Sequence, residues 1–379
     1  MKTFHCTCSG NPSLFFESTS CTACGRTTGI TNDFDQVQAF DLDEKSGFYY
    51  LSGQANVQYK QCQNFAQYHA CNGMIELNDN KEASDLCFAC LFNDTIPNLE
   101  IEEHLPLWRK METAKRRTLF SINALPIPLN NLQQAPDTGL SFDFTVDRDV
   151  KDHFSSELPN HSAVMTGHDC GHITINLAEA DEVARSKAKM DMGERYRTLL
   201  GHFRHEIGHY YFDQLISKNP KQHALCKEVF GDDELDYQEA LDRHYSQGAP
   251  SDWPQRYISE YATMHPWEDW AETWAHYLHI IDTLQTAQEN GLALILKKSK
   301  LTETSVADLE LPQSNDYFTF QTPFADILSL WMRFSVIFNS LNRSMGLQDA
   351  YPFVLSPEVR KKLTFIHYAV HNQLNHFSI

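Results

Sequence analysis

LLGHFRHEIGHYYFDQL, residues 199–215, sets two histidines four residues apart with a glutamate directly after the first. Residues i and i+4 of a helix stand one above the other. The imidazoles of His205 and His209 can therefore converge on one metal ion about 2 Å from each. Glu206 lies about 100° around the helix from His205, which puts it beside such an ion and not on the far face. Zinc lowers the pKa of a bound water to near 7, and a carboxylate within hydrogen-bond reach can take its proton. His205 and His209 are thus candidate ligands, and Glu206 is a candidate general base. An amphipathic helix with surface histidines would show the same short pattern, so the reading needs a third ligand.

The same helix cannot supply it, because ligands at i, i+4 and i+8 would span ~12 Å of axis. A glycine break that returns a third histidine, as in HExxHxxGxxH, is excluded by Phe212 and Leu215 at those positions. The best source is HPWEDWAETWAHYLH, residues 265–279. There Glu268 and Glu272 are one turn apart, as are Ala271 and Ala275. A second helix crossing behind the first would present Glu268 to the metal. Glu272 would accept a hydrogen bond from a liganding imidazole and fix its orientation. The alanines, with Gly208 opposite, would allow close approach, which gives a reason for the roughly 1 kcal/mol of helix propensity that Gly208 costs. Asp269 and His265 are rival ligands.

Eight of the ten cysteines fall in the first 90 residues. Cys6, Cys8, Cys21 and Cys24 form two knuckles whose four thiolates suit a tetrahedral zinc. Cys62, Cys71, Cys87 and Cys90 make a second set of four, with a long first gap and an interleaved pairing still open. The reading is one catalytic and two structural zinc ions. The change in cysteine content sets a domain boundary near residue 97, giving a zinc-ribbon domain over 1–97 and a second domain over 98–379.

The chain has 379 residues, 42% of them apolar, so a real core is expected. Its net charge of −19 gives no general attraction to phosphate backbones or anionic lipid. No nucleic-acid partner is expected, and the zinc ribbon is read as contacting a protein partner or serving an intramolecular role. Lys115, Arg116 and Arg117 read as a solvated helix face. MKTFHCTCSG lacks the apolar run of a signal peptide, and no 18 consecutive apolar residues occur. A cytoplasmic protein without a membrane span is expected, with its cysteines as thiols or metal ligands.

Between the motifs, residues 104–122 read as a helix joining the domains. GLSFDFTV and GHITINLAEA alternate as strands. The stretch from about 183 to 216 reads as helical with a break near Gly193, and 267–291 as a long helix. Residues 217–256 read as an acidic, glycine- and proline-punctuated segment, conceivable as a cover for a cleft. Residues 167–181 are the candidate edge strand for an extended peptide, with His168 or His172 facing the cleft. Tyr351, Tyr257 and His265 are candidate oxyanion donors.

The segments FHCTC, FFESTSCTACG, LCFACLFNDTIPNL, ITINLAEAD, YRTLLGHFRHEIGHYYFDQL, HPWEDWAETWAHYLHI and LNRSMGLQDAYPF together resemble the bacterial zinc-binding metallopeptidases that carry an N-terminal zinc ribbon. The run from Glu268 to Ala275 is similar to the E-x-x-A-[D/N/E]-x-x-A of zinc proteases with a glutamate third ligand. The resemblance covers nearly the whole chain. It implies an α+β protein in which a small cysteine-rich zinc ribbon precedes a mostly helical, zincin-like (gluzincin) peptidase domain with a small sheet. It implies hydrolysis of peptide bonds, with His205, His209 and Glu206 in the roles above, and it supports Glu268 less directly. Phe212 and Gly73 stand where the family pattern leads one to expect Trp, differences that touch packing and not the metal. Two other classes compete: an inactive, zinc-stabilised protein-binding scaffold, and a zinc hydrolase of a non-peptide substrate. Intact Glu206 argues against the scaffold.

Overall fold

The computed structural model describes residues 2–31, 33–54, 56–77, 84–146, 167–169, 171–183, 185, 198–292 and 319–377. Gly193 and Cys170 lie outside them. The chain is α+β: a cysteine-rich, strand-bearing N-terminal region, then a mostly helical part with a small sheet. Packing divides it into two compact units, one of Lys2–Asn123 with Pro128–Glu206, the other of Ala124–Ile127 with Ile207–Ile379.

In the first unit, strands β1 (Phe4–His5) and β2 (Ser13–Leu14) form a small hairpin. A five-stranded antiparallel meander follows: β3 (Thr27–Ile30), β4 (Val37–Leu42), β5 (Tyr49–Leu51), β6 (Gln58–Gln61) and β7 (Met74–Glu76). Helix α1 (Gln63–Tyr68) sits between β6 and β7. A second sheet has the order β10 (Gly167–Asp169), β11 (His172–Asn176), β9 (Ser141–Thr145), β8 (Asn93–Thr95), with β8, β9 and β11 parallel. Strands β9 and β11 alternate as the sequence pattern predicts. Phe142, Phe144, Ile173 and Ile175 are buried, and both phenylalanines pack on Phe203. β11 is not a bare edge, however. β10 pairs along His172–Thr174, so β10 is the outer strand on that side among the described residues.

Helix α2 (His104–Asn123) packs on the turn after β11, Leu177–Ala180. Its basic run is not a solvated face. Lys115 is 0% and Arg116 3% exposed. Lys115 binds Glu112 at 2.8 Å and also Asn93, and Arg116 donates to Asn72. A buried charge is costly unless it is paired and hydrogen-bonded, and these partners meet that condition. Arg109 donates to the Tyr68 carbonyl at 2.6 Å, so α2 is tied to the cysteine-rich region.

Helix α3 (Leu199–Phe212) runs continuously through the division of the chain and ends in a π turn, Asp213–Ser217. Two helices occupy the acidic, glycine- and proline-punctuated segment: α4 (Pro220–Phe230) and α5 (Tyr237–Gln247). Their starts follow N-cap rules. Asn219 caps α4 ahead of a proline at its first position, and Asp236 caps α5. The long helix α6 (Pro266–Glu289) is capped by His265. Gly208 is needed here, because a Cβ on it would lie 3.0 Å from Ala271 Cα and 3.2 Å from Trp274. The indole of Trp270 donates to the Gly208 carbonyl at 2.8 Å.

Helices α7 (Phe324–Ser344) and α8 (Pro357–Val370) complete the second unit. By length and composition alone, α7 is apolar enough to cross a bilayer. Polar residues such as Asp326 and Arg333 interrupt its apolar run, and the core helix of a soluble protein passes the same test. Ile327, Leu328, Leu330, Trp331 and Phe334 are its buried face.

Three histidines in this unit are held neutral by burial, so the unit should lose stability in acid. Burial pushes His276 and His371 down to about 4 and His367, with His371 beside it, down to about 3, from an ordinary 6.5. His367 lies flat against Phe324, with 4.5 Å between ring centroids. A histidine whose folded pKa is depressed leaves stability intact above 6.5 and removes it as pH falls through the window down to the folded value. Each contributes about 1.4 kcal/mol per pH unit there. Asp269, raised to about 6 by burial, acts with the opposite sign, so a variant comparison isolates the histidine. His367→Phe should flatten the stability–pH curve between pH 6.5 and 4.5 by one proton equivalent in denaturant titrations. An unchanged slope would contradict this.

Candidate metal centre

Among the described residues four groups of side chains lie close enough to hold a metal ion: His205, His209 and Glu268; the two sets of four cysteines; and Asp94, Asp143 and His172, which are exposed or half-buried. His205, His209 and Glu268 place their donor atoms within 4.8 Å of one another. They are 8%, 3% and 2% exposed, and Glu206 beside them is 6% exposed. Each is positioned by its helix. His205 and His209 are one turn apart on α3. Glu268 stands in the first turn of α6, where the dipole favours an acidic side chain. The Glu268 Oε2 lies 3.5 Å from His209 Nε2, and the Trp267 ring covers the His209 imidazole at 3.7 Å. Ionised carboxylates survive such burial when paired or when they bind a cation. Two imidazoles and one carboxylate are the donor set of many hydrolytic zinc sites, which leave a further position open.

The rivals are engaged elsewhere. Asp269 is bound by Lys362 Nζ at 2.5 Å and by Thr273. His265 accepts from the Trp267 N–H at 3.1 Å and donates to the Leu235 carbonyl at 3.1 Å. Glu272 accepts from Ser259 Oγ at 2.6 Å, which ties it to the turn before α6. Of the candidate oxyanion donors, Tyr351 shares its hydroxyl with His276 Nδ1 at 2.9 Å. Tyr257 lies under Lys362 Nζ, 4.2 Å from the ring centroid. His172 belongs to the outward polar face of its sheet, 2.9 Å from Ser141 Oγ and 3.9 Å from Asp143. The side chain of His168 lies outside the description.

Two residues that sequence reasoning missed touch the centre. Tyr237 of α5 donates its hydroxyl to Glu268 Oε1 at 2.9 Å. His202, one turn before Glu206 on α3, places its Nε2 3.1 Å from Glu206 Oε1. The i, i+4 spacing of 202 and 206 was a readable signal. Tyr237 had none, because its contact comes from the fold of the acidic segment. Groups that orient metal ligands are worth about 10–100-fold in affinity. Tyr237→Phe should therefore weaken zinc binding at this centre by about tenfold in chelator competition, leaving the cysteine-bound metal in place. Unchanged affinity would show that the hydroxyl does not hold Glu268.

The cysteines form two clusters, Cys6–Cys8–Cys21–Cys24 and Cys62–Cys71–Cys87–Cys90. A tetrahedron with zinc–sulfur bonds of about 2.3 Å has edges of about 3.8 Å. The Sγ atoms of Cys6 and Cys24 are 3.8 Å apart, those of Cys8 and Cys21 are 3.9 Å apart, and those of Cys71 and Cys87 are 4.0 Å apart. These spacings fit zinc. In the second cluster the Cys87 N–H donates to Cys62 Sγ at 3.3 Å. Hydrogen bonds from Cys71, Cys87 and Cys90 hold Cys62 well below the ordinary thiol range. Gly73 is more than a packing residue here. A Cβ on it would collide with the Cys87 side chain, so the chain departs from the family pattern at a position that touches the metal cluster.

Residues 104–369 match a family described as "Putative zinc-binding metallo-peptidase", and residues 3–101 match a zinc-ribbon domain. An uncharacterised protein of Mycobacterium bovis is 38% identical over 370 residues, covering 98% of this chain and 95% of its own. Uncharacterised proteins of two Mycobacterium tuberculosis strains match at the same identity and coverage. No solved structure matches. The family match over most of the chain, with the zinc ribbon before it, agrees with the resemblance carried by the motifs, and the chain belongs to this zinc-binding metallopeptidase family.

Proposed function

We propose that this chain is a zinc-dependent peptidase of the gluzincin type, with one catalytic zinc held by His205, His209 and Glu268 and a structural zinc in each cysteine cluster. The observation that carries the reading is the convergence of two imidazoles and one carboxylate beside Glu206, a second buried carboxylate. Bound zinc would supply a Lewis acid and a water acidified to near neutral pH. Glu206 acts as the general base: it takes the proton of the attacking water and delivers it to the leaving amine. Tyr237 holds Glu268 by its second oxygen, and Trp267 covers one face of His209.

The substrate is a peptide or protein, and β10 is the strand best placed in its sheet to pair with an extended chain. The zinc ribbon (residues 1–97), ahead of a peptidase domain (98–379), is a surface for a protein partner and not for nucleic acid, in keeping with the net charge of −19. The protein works in the cytoplasm and off the membrane. The test is a randomised quenched-fluorescence peptide library incubated with zinc-loaded protein. Cleavage that is abolished by a zinc chelator and restored by added zinc is expected. Cleavage indifferent to the chelator would overturn the reading.

A further inference from the structure

Glu206 is not alone on its face of α3. His202 Nε2 lies 3.1 Å from Glu206 Oε1, and the other ring nitrogen lies 3.7 Å from Glu179 Oε2. All three side chains are largely buried, at 10%, 7% and 16% exposure for His202, Glu206 and Glu179. Glu179 sits on the short turn Leu177–Ala180 that leaves β11. That turn is fixed at three points. Asn176 accepts from the Ala178 N–H at 2.9 Å, Arg185 donates to the Glu179 carbonyl at 2.8 Å, and Lys110 of α2 donates to the Ala180 carbonyl at 3.4 Å.

A carboxylate's last torsion is soft and roughly two-fold, so an unheld Glu206 would sample orientations that point neither oxygen at a substrate water. A donor on one oxygen removes that freedom and leaves the other to act. The i, i+4 spacing on one helix makes the donor a rigid one. We propose that His202 is a positioning residue for the general base: it holds Glu206 through Oε1, with Glu179 3.7 Å from its other ring nitrogen. The proposal rests on Glu206 being the base.

The test uses zinc-loaded full-length protein and the library peptide cleaved fastest. His202→Phe keeps the ring shape without a donor, and His202→Gln keeps an N–H at similar reach. His202→Phe should lose about 10–100-fold in kcat with KM and zinc content unchanged, and His202→Gln should recover most of that loss. Full activity in His202→Phe, or equal loss in both variants, overturns the proposal. Glu206→Gln separates the two claims. If it stays active, the base assignment fails. If it is inactive while His202→Phe is not, only the positioning role fails. A readout free of turnover is the ring 15N spectrum, with His202 assigned by its absence from His202→Phe. A proton on Nε2 whose shift moves in Glu206→Gln is expected, and a ring protonated on Nδ1 alone contradicts the bond to Glu206.

Discussion

Glu206→Gln should lower peptide turnover by a factor of about 10² to 10⁴ while every zinc ion stays bound. The substitution keeps the size of the side chain and its place on α3, and the ligands His205, His209 and Glu268 are untouched. What it removes is the ability to accept a proton. Because the amide is isosteric and the site is buried, the melting temperature should change little. The two halves of the expectation separate chemistry from folding. A variant that loses both activity and metal would make Glu206 a structural group. A variant that keeps activity would move the base elsewhere.

The second large effect concerns the cysteine-rich region. Cys90→Ala should prevent the cysteine-rich region from folding. Cys90 is fully buried, and the thiols of its cluster are part of a core with Phe40, Tyr59, Phe65, Met74 and Ile75. Structural zinc contributes about 10–16 kcal/mol in small zinc-bound peptides, whereas a whole domain is stable by about 5–15 kcal/mol. Losing one of four thiolates therefore exceeds the margin. The result is read by hydrogen exchange: amides of β3 to β7 should lose protection. Cys226→Ala is the control. Cys226 is a buried thiol outside both clusters, and its loss should cost only about 1–3 kcal/mol. Equal protection in both variants would mean that the clusters do not organise this region.

The centre was legible where chemistry and spacing coincide. His205 and His209 had to share a helix face, and Gly208 facing Ala271 and Trp274 is the close approach that small residues permit. The cysteine spacings led to the same two groups that the fold assembles. The starts of α4 and α5 were readable too, in Asn219–Pro220 and Asp236, but the acidity of the segment hid them. Other features depend on contacts that spacing cannot express. Lys115 and Arg116 looked solvated because Asn93 and Asn72, which receive them, lie 22 and 44 residues away. Tyr237 reaches Glu268 across 31 residues. Ser259 reaches Glu272 because the turn before α6 folds back onto the helix, a contact the spacing does not express.

Zinc content per chain tests the central claim most directly. It should be measured in the wild type, in His205→Ala/His209→Ala and in Glu206→Gln. The account predicts about three ions, about two and about three, one for each set of ligands. A double variant that holds as much zinc as the wild type would contradict it, because α3 would then carry no metal.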